Sequence, residues 1–323
     1  MGAASTRLAA LGLAGSFLFL GALASACGEP TEERSPTVVD TLRVLGVQAE
    51  PPELAPLERA ALEVLAYDPA EAPLGYLWLT CDPLLDPDPE APAYTPCQSA
   101  AAVSDPSEVG GLFSAGAARP LSLDLASPQA QWRPPLDEQG APVDLFAPLA
   151  PADPRRQRGV AVTVMVLVAP LEALQALIAD PSGADLSQVE AVVAVKRLVL
   201  SESTAPNQNP QLAGLSVGGV SAEPTLPLPL IAGAQVELVA TLSPGSAEQY
   251  LHTEPDGGES LREERPVLSW FTTTGRLGSQ RTKAGDPNLF EAPPLGTPPP
   301  RLWVVARDGR GGTQWLFFES ELN

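Results

Sequence analysis

The chain is poor in the side chains that most active centres draw on. It has one histidine (His252), two lysines (Lys196 and Lys283) and three cysteines (Cys27, Cys81 and Cys97). That stock cannot assemble a His-rich or Cys-rich zinc site in one subunit, where four such ligands must meet. Positive charge is scarce as well: 19 Lys and Arg stand against 39 Asp and Glu, for a net charge of −20. Such a balance repels phosphate backbones and argues against nucleic acid as a partner. Neither Gly-x-x-x-x-Gly-Lys-Ser/Thr nor Gly-x-Gly-x-x-Gly occurs, so the common nucleotide cradles are missing and no cofactor is implied. What the chain has in quantity is proline (37) and glycine (27), enough to punctuate it with turns but below the disordered range. Few lysines beside many arginines, alanines and prolines match a GC-rich bacterial genome.

One long apolar run is present, and it sits at the start. Arg7 precedes a stretch from Leu8 to Ala26 broken only by Gly and Ser, and Leu23-Ala24-Ser25-Ala26-Cys27 closes it. A charged start, an apolar middle and small residues before a cut site read as a secretory signal peptide over residues 1–26. The cysteine directly after the small residues resembles the lipobox of bacterial lipoproteins, with Ala24 where an aliphatic is usual. The resemblance implies diacylation of Cys27 and, with Gly28 rather than Asp following it, sorting to the outer membrane. Ala24-Ser25-Ala26 also suits an ordinary signal peptidase, which would give a secreted protein, and the run is about long enough for an uncleaved anchor. Lipidation accounts for the odd cysteine, leaving Cys81 and Cys97 free to pair. Residues 27–40 are polar, contain Pro30 and Pro36, and read as a flexible tether.

An internal repeat organises the remainder. Gly46-Val47-Gln48-Ala49-Glu50-Pro51 returns as Gly219-Val220-Ser221-Ala222-Glu223-Pro224, Leu62–Ala66 as Val236–Ala240, and Leu77–Thr80 as Ser269–Thr272. Two copies make a tandem rather than a solenoid, with the first domain expected over 41–203 and the second over 204–323. Val236, Leu238, Ala240 and Leu242 alternate with the residues between them, the period of a half-buried strand. Arg301–Ala306 and Thr313–Glu319 flank a glycine-rich hairpin turn, Arg307–Gly312. Gly159–Val168 and Val189–Leu200 take the same place in the first copy, with a short helix between them at about 170–179. Short strands, Gly and Pro turns, and a Trp on the third strand resemble the immunoglobulin-like sandwich. The expectation is therefore all-β: two immunoglobulin-like β-sandwiches in tandem, with a helical insertion in the first. The cysteines depart from that fold's bridge, because a Cys81–Cys97 bond would staple a loop instead.

Candidate chemistry is thin. Gly214-Leu215-Ser216-Val217-Gly218 matches the nucleophile elbow of hydrolases, which needs a helix after the serine and a histidine reached through an acid. Pro224, Pro227 and Pro229 oppose that helix, and His252 falls in a Pro/Gly/Glu-rich segment expected as a loop. Asp82, Asp86, Asp88 and Glu90 could offer oxygens to calcium, although alternating prolines favour an extended, solvated loop. Glu254, Asp256, Glu259, Glu263 and Glu264 suggest a second solvated acidic loop. Trp78 and Trp270 read as core residues, whereas Trp132, outside any clear strand, reads as a surface aromatic able to touch a ligand. The sequence thus describes a lipid-anchored envelope lipoprotein, a non-catalytic binding or structural module. Its partners would be the membrane through its lipid and an envelope protein or surface glycan; the alternative is an exported hydrolase on a β-scaffold.

Overall fold

The computed structural model describes residues 35–81, 118–122, 124–180, 189–254 and 257–323. The first half forms β1 (Arg43–Glu50), β2 (Glu53–Leu54), β3 (Ala60–Tyr67), β4 (Leu74–Cys81), β5 (Ala118–Pro120), β6 (Gln129–Trp132), α1 (Pro154–Arg158), β7 (Val160–Pro170), α2 (Leu171–Ala179) and β8 (Val192–Leu200). One sheet has the order β1-β3-β6 and the other β2-β8-β7-β4-β5. The first strand serves both sheets through its short continuation β2, which runs parallel to β8, while the remaining pairs are antiparallel. That strand order is the immunoglobulin-like sandwich. Its core gathers Leu62, Val64, Trp78, Trp132, Phe146, Val162, Val164 and Leu198.

The second half repeats the plan with β9 (Leu212–Val217), β10 (Val220–Ser221), β11 (Leu228–Leu230), β12 (Gln235–Leu242), β13 (Gln249–Thr253), β14 (Glu259–Glu263), β15 (Val267–Thr272), β16 (Arg276–Leu277), β17 (Arg281–Lys283), β18 (Asn288–Glu291), β19 (Leu302–Arg307), β20 (Thr313–Phe318) and β21 (Ser320–Leu322). The sheets are β10-β9-β12-β18-β16 and β17-β15-β19-β20, around Leu238, Trp270, Phe290, Val304 and Phe318. As in the first copy, an early strand (β11) pairs in parallel with the final one (β21).

The register tests the repeat segment by segment. Leu62–Ala66 and Val236–Ala240 occupy β3 and β12, and the tryptophans of the third match sit in β4 and β15, both buried. The first match does not hold in space. Val64 faces Val47 whereas its counterpart Leu238 faces Val217, three residues before Val220. Gly218 and Gly219, both at positive φ, instead turn the chain back so that Val220 pairs with Val217.

Strands buried on both faces lose the alternation of half-buried ones. In β7 the outer face is covered by α2, whose Leu174 and Leu177 pack on Leu77, Leu79, Met165 and Ala169. In β15 and β19 the outer face meets the other sandwich. A bulge between Val44 and Gly46 turns Leu45 out of its own core and into a cluster with Val39, Phe271, Trp303 and Val305. All described strands and helices lie in one unit, Pro36–Asn323. Part of the segment expected as tether also belongs to it. Thr37 and Val39 are each 2% exposed, and Val38 forms a parallel bridge with Thr272. Backbone bonds Val39 N to Thr272 O and Thr272 N to Thr37 O hold the segment, and Val39 packs into a cluster with Leu45 and Phe271.

Candidate functional site

The residues singled out from sequence do not gather into one place. Cys27, Cys97 and the calcium candidates Asp82, Asp86, Asp88 and Glu90 lie outside the described residues; Cys81 ends β4. Trp132 corrects the surface reading: it is 1% exposed, pairs with Ala60 at the end of β6, and belongs to the first core. Its strand is four residues long with polar flanks, too short for a period to show, yet its inward position is set by β3. Ser216 lies in β9, opposite Val239 on one side and Ser221 on the other. The chain turns from it into a strand, so the strand-to-helix geometry of a nucleophile elbow is not formed. His252 is in β13, not a loop, opposite Ser260 and 3.6 Å from a Glu254 oxygen. Of the second acidic segment, Asp256 lies outside the described residues, Glu259 and Glu263 are in β14 paired with β13, and Glu264 beyond it is 5% exposed rather than solvated.

The densest polar chemistry is at the seam between the sandwiches, on the turn after β19. Asp308 folds back over its own turn: Oδ1 accepts the N–H groups of Arg310 (2.7 Å), Gly311 (3.0 Å) and Gly312 (2.9 Å). Its Oδ2 accepts the Asn207 side-chain amide at 2.9 Å, on the segment joining the sandwiches. Gly311 holds φ +120, and a Cβ on Gly312 would collide with the Asp308 carboxylate and the Gln208 carbonyl. Both positions therefore require glycine.

Arg310 projects from this turn into a ring of acids. It donates to Glu264 at 2.9 Å, Glu53 at 3.2 Å and Glu248 at 3.3 Å, and its guanidinium lies 4.0 Å from the centre of the Tyr250 ring. Glu53 also accepts the Ser201 hydroxyl and the Asn207 N–H. Burial pushes the Glu264 carboxyl above its ordinary range, opposed by the Glu248 N–H and by Arg310. Three carboxylates thus share one guanidinium, which offsets only part of the cost of withdrawing them from water. Among the described residues, no three His, Cys, Asp or Glu side chains are placed to hold a metal ion.

Farther along the seam, Asn209 donates to the Ala49 carbonyl at 2.7 Å and to Glu50 at 2.6 Å. Arg301 donates to the Tyr67 hydroxyl and to Glu71. A polar cleft of about 330 Å³ opens beside Arg310, lined among others by Arg158, Tyr250, His252 and Arg262. Little of this could have been read from sequence. The hairpin turn was visible, but the partners of Arg310 lie 46, 62 and 257 residues away.

No protein-family model matches the chain, and no curated protein matches it. Among solved structures it is similar to murine CEACAM1b, at 8% identity and TM-score 0.22, over 87% of this chain and all of that one. The D0–D1 domain of intimin matches at 8% identity and TM-score 0.18, over 86% of this chain and 99% of that one. Three N-terminal domains of the bacteriophage RB49 highly immunogenic outer capsid protein match at 10% identity and TM-score 0.19, over 87% of this chain and 59% of that one. The immunoglobulin-like assignment rests on the strand order, not on these overlaps.

Proposed function

We propose that the chain is a lipid-anchored cell-envelope lipoprotein acting as a non-catalytic binding or structural module. The observation that carries the module reading is the seam. Two sandwiches share an apolar cluster around Leu45 and Trp303 and a polar lock around Arg310 and Asp308. A pair of domains fastened in this way presents its surfaces in one fixed arrangement, which suits recognition or scaffolding. The anchoring reading rests on Leu23–Cys27 and the export pattern before it. Two or more acyl chains hold a protein at a bilayer where one does not. Fractionation of envelopes and mass spectrometry of the mature N-terminus test it. Cys27→Ser should leave the membrane fraction; an unmodified N-terminus in the soluble fraction of the natural protein would refute the reading. The non-catalytic part is tested with a serine-reactive fluorophosphonate, which should fail to label the chain. Specific labelling lost in Ser216→Ala would put a hydrolase first.

A further inference from the structure

We propose that the crevice between β1, β8 and the 307–313 turn binds a small organic carboxylate, its head held by Lys196 and Arg307 and its aliphatic part by Val44, Val47 and Ala194. This deepens the binding reading above by naming a ligand class, and it does not depend on membrane attachment. The crevice has a volume of about 340 Å³. Its walls include Lys196, Arg197 and Arg307, three of the chain's 19 basic residues, and no carboxylate among the described residues. In a chain with twice as many acids as bases, a recess lined by one sign only is the reverse of what composition would supply.

Neither inner cation is fully balanced by the protein, although Asp308 lies near Lys196. Lys196 is 7% exposed, and its ammonium donates to the Gly311 carbonyl. Arg307 donates to the Ser269 hydroxyl at 3.0 Å and to the Leu45 carbonyl at 2.6 Å. Among the described residues neither forms an ion pair. The nearby acid, Asp308, already accepts three backbone N–H groups and the Asn207 amide. An ammonium offers three donors and a guanidinium five, so most of this donor capacity is unspent. Burial holds the Lys196 amine down at about 8, with Asp308 opposing and Arg307 reinforcing the depression. An anion placed between the two would relieve both charges at once.

The rest of the wall chooses among anions. Val44, Val47 and Ala194 are aliphatic, which a compact dianion such as phosphate would leave unused. A monoanion with a short hydrocarbon chain uses both halves, and the arginine fork fits a planar carboxylate. The volume corresponds to roughly eleven waters, room for a ligand of about ten non-hydrogen atoms. Because β1 and β8 belong to one sandwich and the 307–313 turn to the other, the bound ligand bridges the seam.

Calorimetric titration of the full chain in mild detergent tests this, with sodium hexanoate as the probe and hexylamine hydrochloride and inorganic phosphate at matched ionic strength beside it. Hexanoate should bind with one-to-one stoichiometry and raise the melting temperature, while hexylamine should not bind. Lys196→Met should weaken hexanoate at least about tenfold, the loss of one charged hydrogen bond. Arg307→Gln should do the same by removing the second charge of the recess. Val193→Glu, outside the crevice, should leave affinity unchanged. Absence of saturable hexanoate binding, unchanged affinity in both crevice variants, or tighter binding of phosphate would overturn the proposal. None of those results would bear on membrane attachment, which Cys27→Ser reports separately.

Discussion

Arg310 and Glu53 are 257 residues apart in sequence and joined by a 3.2 Å hydrogen bond across the seam, the guanidinium from the second sandwich and the carboxylate from the first. Glu53 is 8% exposed, so neither water nor salt can replace that partner readily. Arg310→Met should therefore destabilise the unit by about 3–5 kcal/mol, because Glu53 and Glu264 would stay buried without a counter-charge. Urea unfolding followed by tryptophan fluorescence measures it. Arg310→Lys should recover part of the loss only, since a point charge cannot reach three carboxylates as a fork does.

The apolar half of the seam makes a different prediction. Leu45 is 1% exposed between the sandwiches, yet each sandwich has a core of its own. Leu45→Asp should split one calorimetric transition into two, as the sandwiches uncouple while each remains folded. Retention of a single transition would mean that the polar lock alone couples them.

Trp132→Ala should behave as a core truncation. With 1% of the residue exposed, a loss of about 3–5 kcal/mol is expected, measurable by thermal or urea denaturation. The variant should keep its hexanoate affinity under conditions where it is folded, since Trp132 does not line the crevice.

Lys196 supplies a pH signature. Its amine falls from 10.5 in the free chain to about 8 when folded. Below pH 8 both states carry the proton and the burial cost is fully present. Between pH 8 and 10.5 the unfolded chain binds a proton that the folded chain does not, so this group makes stability rise with pH there. Lys196→Met should remove that rise. At pH 7 the variant should gain roughly 2 kcal/mol: about 3 from the depressed amine, less about 1 for the Gly311 carbonyl losing its donor. Denaturation at pH 7 and pH 11 separates the two regimes, and an advantage of Lys196→Met that persists undiminished at pH 11 would contradict the assignment.

The strands were legible where one face meets water, as in β12, where Leu238 and Ala240 are buried and Glu237 and Thr241 are exposed. They were legible too where Gly marks a turn, as between β19 and β20. Trp132 looks exposed in sequence because a four-residue edge strand carries too little period, and its burial comes from β3 across the sheet. His252 looks like loop in sequence because Pro, Gly and Glu around it mask a five-residue strand, and a short hairpin relies on pairing more than on propensity. The seam was illegible for another reason. Leu45 and Phe271 look like ordinary strand residues, and a bulge at Leu45 decides which core receives it. Lys196 gave no signal in sequence, being one of two lysines with nothing around it to show that it would be enclosed by a turn more than a hundred residues away.

The parallel clip of Val38 on Thr272 has a mechanical meaning. Chain leaving the unit toward its N-terminus departs from the edge of the second sandwich, although the first sandwich follows it in sequence. If Cys27 carries the lipid, eight residues lie between it and Pro36, a leash reaching at most about 30 Å. Tension from the bilayer would then be shared between the two backbone bonds at Thr272 and the Arg43 guanidinium of β1, which donates to the Pro36 carbonyl. Force on the leash would tend to peel residues 37–39 from β15 and unload Val39 from the cluster that holds Leu45. The attachment point and the seam are in that sense one spring.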